Sequence, residues 1–390
     1  MTVKKSSNRN NISDEKADRS LIRDLEDEEA LDEDEEGVTH KYEKAQRELV
    51  TQSVDFNIRT LADMVSSGQI DTNPKYQRRL RWEDTRKSKL IESFLMNVPI
   101  PPLFFAEESY GKYIVIDGQQ RLRALAALFE NELKLKGLEV FKEIEGKIFS
   151  ELPSELQSVL SMRPTLRCII IQRQSDPEIK FEVFERLNTG GVKLNAQEIR
   201  NSAYRGPLNN LIIELSENQK FRQMLKIKDP EKSLLVQYMR DGELVLRFLA
   251  LKDTWKKFSG SMRLTLNRFM KENKEASRDQ LSHFKNDFIN TLSVVDDAFG
   301  KYAFLRWDPS RKNWSRHVLA SVFDAQMFAC YKCSVGTLSK HQTQILEEFK
   351  RLFEKDTNFS GSILGQTNTA TKLVYRVKKV QTLIKRWAGK

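Results

Sequence analysis

The sequence predicts an α+β protein, in which a small mixed α/β domain precedes an all-helical domain. Before Pro207, apolar runs of strand length alternate with segments whose apolar residues recur at helical spacing. After Pro207 almost every segment has helical spacing, and no repeat of about 20–50 residues indicates a solenoid. We therefore predict a disordered acidic tail at residues 1–45, a mixed domain at 46–206 and a helical domain at 207–390.

Two helices open the mixed domain. The first is predicted over Ile58–Val65 and ends near Gly68. The second, over Arg86–Asn97, carries its apolar residues on one face. The prolines of Pro99–Pro102 then end it, because proline cannot continue a helix.

A strand–turn–strand–helix unit follows. Leu103–Ala106 and Tyr113–Ile116 are predicted strands, and the short polar loop between them favours an antiparallel pair. Gly118 permits a sharp turn, and a helix over Gln120–Glu130 begins directly after it.

The end of the mixed domain contains one more strand and two helices. The strand is predicted at Cys168–Ile171. Asp176 and Pro177 are typical of a helix N-cap and a first-turn proline, and Asn188–Gly191 ends that helix. Asn195–Glu198 has the pattern of a capping box, which starts the next helix.

The net charge of +10 is distributed unevenly along the chain. Residues 1–40 contain 13 acidic and 6 basic residues, so they carry −7 and the rest of the chain carries +17. A body this basic attracts polyanions, either nucleic acid or nucleotide phosphates. The acidic stretch either solubilises the chain, which is the simpler interpretation, or lies over the basic body and competes with nucleic acid.

Several protein classes are excluded by composition. The sequence has no apolar run long enough to span a membrane and no signal peptide, so we predict a cytoplasmic protein without a membrane partner. Three cysteines form no disulfide framework. Cys330 and Cys333 are spaced as C-x-x-C, but they lie in an apolar helical stretch, which favours buried small side chains over zinc ligands.

The candidate site lies where a predicted strand ends at Asp117 and a helix begins after Gly118. The first turn of a helix has unpaired N–H groups and a positive dipole end, which suit an anion. Arg121 adds a bidentate, charged partner for phosphate oxygens, and Arg123 could reinforce it. The alternative interpretation is a simple capped helix with surface arginines.

The other polar residues of this turn also suit a phosphate ligand. Asp117 can cap the helix or bind Mg²⁺ through a carboxylate oxygen. Gln119 and Gln120 can orient a water molecule or a ribose hydroxyl. These residues are compatible with a nucleotide as the bound anion.

Two further segments favour a nucleotide. Asn73–Trp82 contains four basic residues beside two aromatic residues and a glutamine, which suits a base stacked over its own phosphates. The less favoured alternative is a basic loop packed by its aromatic side chains, Tyr76 and Trp82. In Phe184–Lys193, Asn188 and Thr189 could reach magnesium or phosphate, although the segment also has the form of an ordinary helix end with glycine.

Together these motifs resemble one family, the domain found as the N-terminal part of GmrSD-type modification-dependent restriction enzymes and shared with SspE-type phage-defence proteins. The resemblance covers residues 54–205. It rests on the order of five short motifs, Tyr76-Gln-Arg-Arg with Trp82, Val98–Pro102, Ile116–Arg121, Phe184–Gly191 and Glu198-Ile-Arg200.

The resemblance implies a ParB/sulfiredoxin-like fold and a DGQQR motif associated with nucleotide binding and hydrolysis that control a DNA-cutting half. By that resemblance, phosphate binding and turnover belong to Asp117, Gly118, Gln119, Gln120 and Arg121. Gln77 and Arg78 would line the nucleotide, with Arg79 a further phosphate-binding candidate, and Asn188 would lie near the metal.

The chain departs from the family in its second half. Restriction members continue into an HNH-type nuclease, which needs closely spaced histidines and an asparagine to bind a metal ion. The four histidines here have no such spacing, and His317 is predicted on a helix face. A ParB-type helix-turn-helix is not recognisable either.

Three functions follow from these observations. The preferred one is a nucleotide-binding, NTP-hydrolysing component of a bacterial restriction or phage-defence system, which binds Mg²⁺ and acts on or with DNA through a partner nuclease or effector. The alternatives are a DNA-binding, Mg²⁺-dependent nuclease of ParB-like type and a nucleic-acid-binding module without chemistry.

Overall fold

A computed structural model describes residues 49–72, 82–187 and 195–388. These residues divide into two compact units, one ending at Ala203 and the other beginning at Tyr204. The predicted acidic tail lies outside the described residues, as do five candidate site residues, Gln77, Arg78, Arg79, Asn188 and Thr189.

A five-stranded mixed sheet is the centre of the first unit. Its strands, in chain order, are β1 (Thr51–Asn57), β2 (Ile70–Asp71), β3 (Leu103–Ser109), β4 (Lys112–Asp117) and β5 (Thr165–Ile171). Across the sheet the order is β1-β5-β3-β4-β2. The pairs β1–β5 and β3–β4 are antiparallel, whereas β5–β3 and β4–β2 are parallel.

Within the described residues, the first unit contains six α-helices. They are α1 (Ile58–Ser66), α2 (Asp84–Leu95), α3 (Gln119–Phe129), α4 (Ser154–Met162), α5 (Pro177–Leu187) and α6 (Ala196–Ala203). Helices α1 and α3 contact each other, and the buried residues of their apolar faces lie in one core with residues of β3 and β4. That core fixes the start of α3 against the end of β4.

The predicted fold class is confirmed, and the structure adds elements that the sequence analysis did not predict. The antiparallel pair β3–β4 and the helix directly after Gly118 are as expected. The capping box is present too, since the N–H groups of Asn195 and Glu198 each donate to the other residue's side chain, at 2.7 and 3.0 Å. Strands β1 and β2 and helix α4 were not predicted.

Glu92 of α2 holds the loop that follows α3. Its side chain is almost fully buried, and its Oε1 accepts hydrogen bonds from the N–H groups of Glu139, Val140 and Phe141 at 2.9, 2.7 and 3.1 Å. Burial alone would raise the pKa of Glu92, but these donors and the charge of Lys89 lower it below its ordinary value. The loop is therefore held by a charged carboxylate.

Replacing Glu92 by glutamine should lower the free energy of unfolding by about 1 kcal/mol at neutral pH, because the amide oxygen is a weaker acceptor than the carboxylate. A lowered pKa means that the contribution of Glu92 is complete above its unfolded-state pKa and is lost as the pH falls through the folded-state value. Urea unfolding of both proteins at neutral and acidic pH measures this. Equal stability of the two proteins at neutral pH would contradict the charged carboxylate.

The second unit is mainly helical. Its helices are α7 (Pro207–Ser216), α8 (Gln219–Met224), α9 (Leu234–Gln237), α10 (Arg240–Leu251), α11 (Met262–Glu272), α12 (Arg278–Phe299), α13 (Ala320–Cys330), α14 (Gln342–Lys355), α15 (Thr357–Ile363) and α16 (Ala370–Ala388).

One antiparallel hairpin interrupts the helices of this unit, β6 (Leu305–Asp308) and β7 (Asn313–Val318). The expectation of helix alone was wrong here, and so was the placement of His317 on a helix face, because His317 lies in β7. Burial alternates along β6, where Leu305 and Trp307 are buried. That two-residue period is typical of a strand.

The prediction on the cysteines also concerns this unit. Cys330 is buried at the end of α13, and Cys333 is half-buried after it. Burial raises the pKa of the Cys330 thiol well above its ordinary value, as expected for a packed, unreactive side chain.

No helix within residues 49–72, 82–187 and 195–388 is long and apolar enough to cross a membrane.

Candidate functional site at the start of α3

The turn from β4 into α3 depends on Gly118. Asp117, the last residue of β4, pairs with Phe104 of β3, and Gly118 then adopts a left-handed conformation with φ of +99°. A Cβ atom at Gly118 would lie 2.2 Å from Cδ2 of the fully buried Leu103. Only glycine fits this turn without moving the core.

Gly118 also leaves the start of α3 without a side-chain cap. It occupies the N-cap position and has no side chain that could accept from the first-turn N–H groups. The positive end of an eleven-residue helix therefore lies directly after the C-terminal end of β4. Such a helix start is the kind of position where proteins bind phosphate.

Arg121 connects the site to the segment before β3. Its Nη2 lies 2.8 Å from Oδ2 of Asp117 and 3.3 Å from the carbonyl oxygen of Pro102, and its Nη1 donates to the carbonyl of Pro101. The Arg121 side chain is only 11% exposed, against 35% for Asp117. Burial lowers the pKa of Arg121, and the charge of Asp117 opposes that shift. The guanidinium thus has protein acceptors, in addition to any ligand it would bind.

Three further side chains near the start of α3 form hydrogen bonds with Thr72 and Trp82, the residues on either side of positions 73–81. Gln119 Nε2 and Arg123 Nη2 donate to the carbonyl oxygen of Thr72, at 2.5 and 2.6 Å. Gln120 Oε1 accepts from the backbone N–H of Trp82 at 3.0 Å. Thr72 and Trp82, the described residues on either side of positions 73–81, are therefore both hydrogen-bonded to α3.

The ring of Trp82 makes a second contact, in addition to the hydrogen bond of its backbone N–H. The guanidinium carbon of Arg86, in the first turn of α2, lies 4.5 Å from the centroid of the Trp82 ring. This is within the range of a cation–π interaction. The tryptophan also packs against the core of the first unit. Of the two aromatic residues in the Asn73–Trp82 motif, Trp82 therefore has a structural role at the end of the motif.

Asp117 could contribute one oxygen ligand to a bound cation. Its Oδ2 bonds to Arg121, whereas no partner is found for Oδ1 within the described ranges. Mg²⁺ bound with a nucleotide needs only one or two protein carboxylates, since phosphate oxygens and water complete its shell. Among the described residues no group of three or more His, Cys, Asp or Glu side chains is placed to hold a metal ion.

Four site residues were not predicted to contact the motif. The backbone oxygens of Thr72, Pro101 and Pro102 accept from its side chains, and Leu103 limits the space at Gly118. The prolines were expected only to end a helix. Val98–Pro102 is one of the motifs on which the family resemblance rests, so the sequence did indicate that this segment matters. It did not show that Arg121 would donate to the carbonyl oxygens of Pro101 and Pro102.

Helix α5, which precedes Asn188 in the chain, contacts strand β4. Helix α5 ends at Leu187 and contacts β4, whose last residue is Asp117. Asn188 and Thr189 themselves lie outside the described residues, so their roles stay predictions.

Comparison with protein families confirms the resemblance drawn from the motifs. Residues 58–205, less than half of the chain, match the family model described as the GmrSD restriction endonuclease, N-terminal domain. Comparison with curated proteins and with solved structures found no match.

Proposed function

We propose that the start of α3 binds the phosphates of a nucleoside triphosphate, and that this nucleotide site belongs to a component of a restriction or phage-defence system that acts on DNA with a partner. The observation that carries the proposal is the uncapped start of α3 at the end of β4, with Gly118 in a conformation that only glycine adopts freely. The family match over residues 58–205 supports the restriction context.

Each residue of the first turn has a defined part in this proposal. The backbone at Gly118 lets a phosphate approach closely, since no side chain stands in the way. Arg121 and Arg123 supply positive charge beside it. Gln119 and Gln120 couple the phosphate site to the chain at Thr72 and Trp82. Gln77, Arg78 and Arg79, in the segment between those two residues, are proposed to line the nucleotide.

Asp117 is the proposed protein ligand of Mg²⁺, with Asn188 and Thr189 as further candidates near the metal or a phosphate. When bound, the ion would neutralise the charge of the phosphate oxygens. The ion pair with Arg121 holds the Asp117 carboxylate in one orientation beside the start of α3.

Hydrolysis at this site would join a water oxygen to the terminal phosphorus and break the bond to the bridging oxygen. The products are a nucleoside diphosphate and inorganic phosphate. Gln119, Gln120 or Asp117 would orient the water, and the helix dipole with the two arginines would stabilise charge on the phosphate.

Calorimetry with each nucleoside triphosphate, with and without Mg²⁺, tests binding, and phosphate release tests hydrolysis. We expect Asp117→Asn to bind nucleotide more weakly in Mg²⁺ and to lose roughly 100-fold in turnover. The matched control is Asp55→Asn, which removes the charge of another Asp–Arg pair, Asp55–Arg167, on the same sheet. Asp55→Asn should retain wild-type turnover.

Two outcomes would contradict the nucleotide assignment. One is a wild-type protein that binds none of the four triphosphates. The other is an Asp117→Asn protein with turnover equal to that of Asp55→Asn. Metal-dependent nicking of a plasmid that only Asp117→Asn abolishes would instead identify the nuclease alternative.

A further inference from the structure

A basic groove lies among helices α14, α15 and α16 of the second unit. Its volume is about 730 Å³, and it is open to solvent. Four cationic side chains line it, together with two carboxylates, and three hydrogen-bonding side chains, Thr357, Asn358 and Thr382, complete its polar surface. The cations are Arg351, Lys355, Lys379 and Arg386, and the carboxylates are Glu348 and Asp356.

Both carboxylates of the basic groove are already paired. Lys379 Nζ lies 2.7 Å from Oδ2 of Asp356, and Arg386 Nη1 lies 3.5 Å from Oε2 of Glu348. Each of these pairs leaves no net charge. Arg351 and Lys355 are exposed and have no ion pair with any residue that the structure describes. The groove thus has an excess of two positive charges, both on α14.

The carboxylates also lie deeper than their partners. Asp356 is 18% exposed against 41% for Lys379, and Glu348 is 25% exposed against 65% for Arg386. A molecule in solvent therefore meets the ammonium and guanidinium groups first. The hydroxyl of Tyr375 donates to Asp356 at 2.9 Å and helps to keep this carboxylate at the base of the groove.

Helix α16 extends the positive charge beyond the groove. Over its 19 residues it contains no aspartate or glutamate. It contains six basic residues, Lys372, Arg376, Lys378, Lys379, Lys385 and Arg386. Among them Arg376 is buried, and the other five are at least partly exposed. Positive charge on one helix without interspersed acids is the electrostatic signature of a surface for polyanions.

We propose that the basic groove binds the sugar-phosphate backbone of DNA. Unpaired, exposed cations attract successive phosphates, and the hydroxyl of Thr357 and the amide of Asn358 can donate to phosphate oxygens. The two leucines that line it, Leu352 and Leu383, are half-buried and buried, so the groove has no exposed apolar side chain to insert into a lipid bilayer. This contact would position DNA without reading its sequence.

The proposal does not depend on nucleotide hydrolysis at α3, and its test contains no nucleotide. Fluorescence anisotropy with a labelled DNA duplex, repeated over a series of salt concentrations, measures both affinity and its salt dependence. We expect the full-length Arg351→Ala/Lys355→Ala protein to bind at least 10-fold more weakly. The slope of log affinity against log salt should fall by about 1.8, since each phosphate contact contributes about 0.9.

The control is Arg278→Ala/Arg316→Ala, which removes two other exposed arginines of the same unit, at the start of α12 and on β7. It lowers the net charge by the same amount and should retain most of the affinity. All four side chains are exposed, so thermal unfolding should be unchanged in both variants.

Three results would overturn the proposal. The first is equal loss of affinity in the groove variant and the control, which would mean that only total charge matters. The second is a wild-type protein that does not bind DNA at low salt. The third is binding to vesicles containing phosphatidylserine, lost in the groove variant, together with unchanged binding to DNA.

Discussion

Replacing Gly118 by alanine should lower the free energy of unfolding of the first unit by about 3 kcal/mol. Two costs add at this position. A residue with a Cβ atom is strained by about 1–2 kcal/mol at a left-handed φ such as the +99° of Gly118. The new methyl group would also lie 2.2 Å from Cδ2 of Leu103. Because Leu103 is completely buried, it cannot swing into solvent, and overpacking adds about 1–3 kcal/mol.

The matched control is Gly111→Ala, in the turn between β3 and β4. Gly111 also has a left-handed φ, of +73°, but a Cβ atom there would meet nothing within 4 Å. Gly111→Ala should therefore lower the free energy of unfolding only by the backbone strain, about 1 kcal/mol. Urea unfolding followed by circular dichroism compares the two variants. Equal losses would show that the close approach to Leu103 does not matter.

Gly118→Ala also connects stability with the proposed function. If the variant still folds at low temperature, the start of α3 must shift away from Leu103. We then expect Gly118→Ala to bind nucleotide more weakly than Gly111→Ala does, because Gly111 lies at the other end of β4. The same calorimetric titration measures both proteins.

The local form of the site was predictable because it depends on neighbours in sequence. An apolar run that ends at Asp117, followed by glycine and then residues at helical spacing, determines a strand, a turn and a helix start. The partners of the motif were not predictable. Arg121 reaches carbonyls 19 and 20 residues away, and Gln119 reaches one 47 residues away. Such contacts follow from how β3, β4 and α3 pack.

Strand β1 was missed for a different physical reason. It lies at the edge of the sheet, and three of its first four residues are exposed, so it lacks the alternating apolar pattern of a half-buried strand. Its position is set by pairing with β5, from Thr51–Ile171 to Asn57–Thr165. The hairpin β6–β7 did carry an alternating signal, at Leu305 and Trp307, but a helical context on both sides concealed it.

A buried charged cluster of the second unit was also beyond sequence analysis. Asp324 of α13 lies between Arg247 of α10 and Arg376 of α16, and all three side chains are fully buried. Oδ1 of Asp324 accepts from Arg247 Nε at 3.2 Å, and Oδ2 accepts from the Nη2 atoms of Arg247 and Arg376 at 2.7 and 2.9 Å. The residues are 52 and 77 positions from Asp324, so no local pattern brings them together.

Replacing Asp324 by asparagine should lower the free energy of unfolding by about 3–5 kcal/mol, the cost of removing one partner from a buried ion pair. Two buried guanidinium groups would lose the carboxylate that they share, and their charges are expensive away from water. Asparagine has nearly the shape of aspartate and keeps one acceptor oxygen, so the loss measures charge rather than packing. Urea unfolding followed by circular dichroism gives the difference.

Glu214→Gln provides the control within the same unit. Glu214 pairs with Lys285, but both side chains are about half exposed, and such surface pairs contribute less than about 1 kcal/mol. Added salt should reduce the small effect of Glu214→Gln and leave that of Asp324→Asn almost unchanged, because ions in solution do not reach a fully buried cluster. If Asp324→Asn instead lost no more stability than Glu214→Gln, or if salt weakened both effects alike, the cluster would not hold α10, α13 and α16 together. Their packing would then have to rest on the apolar contacts alone.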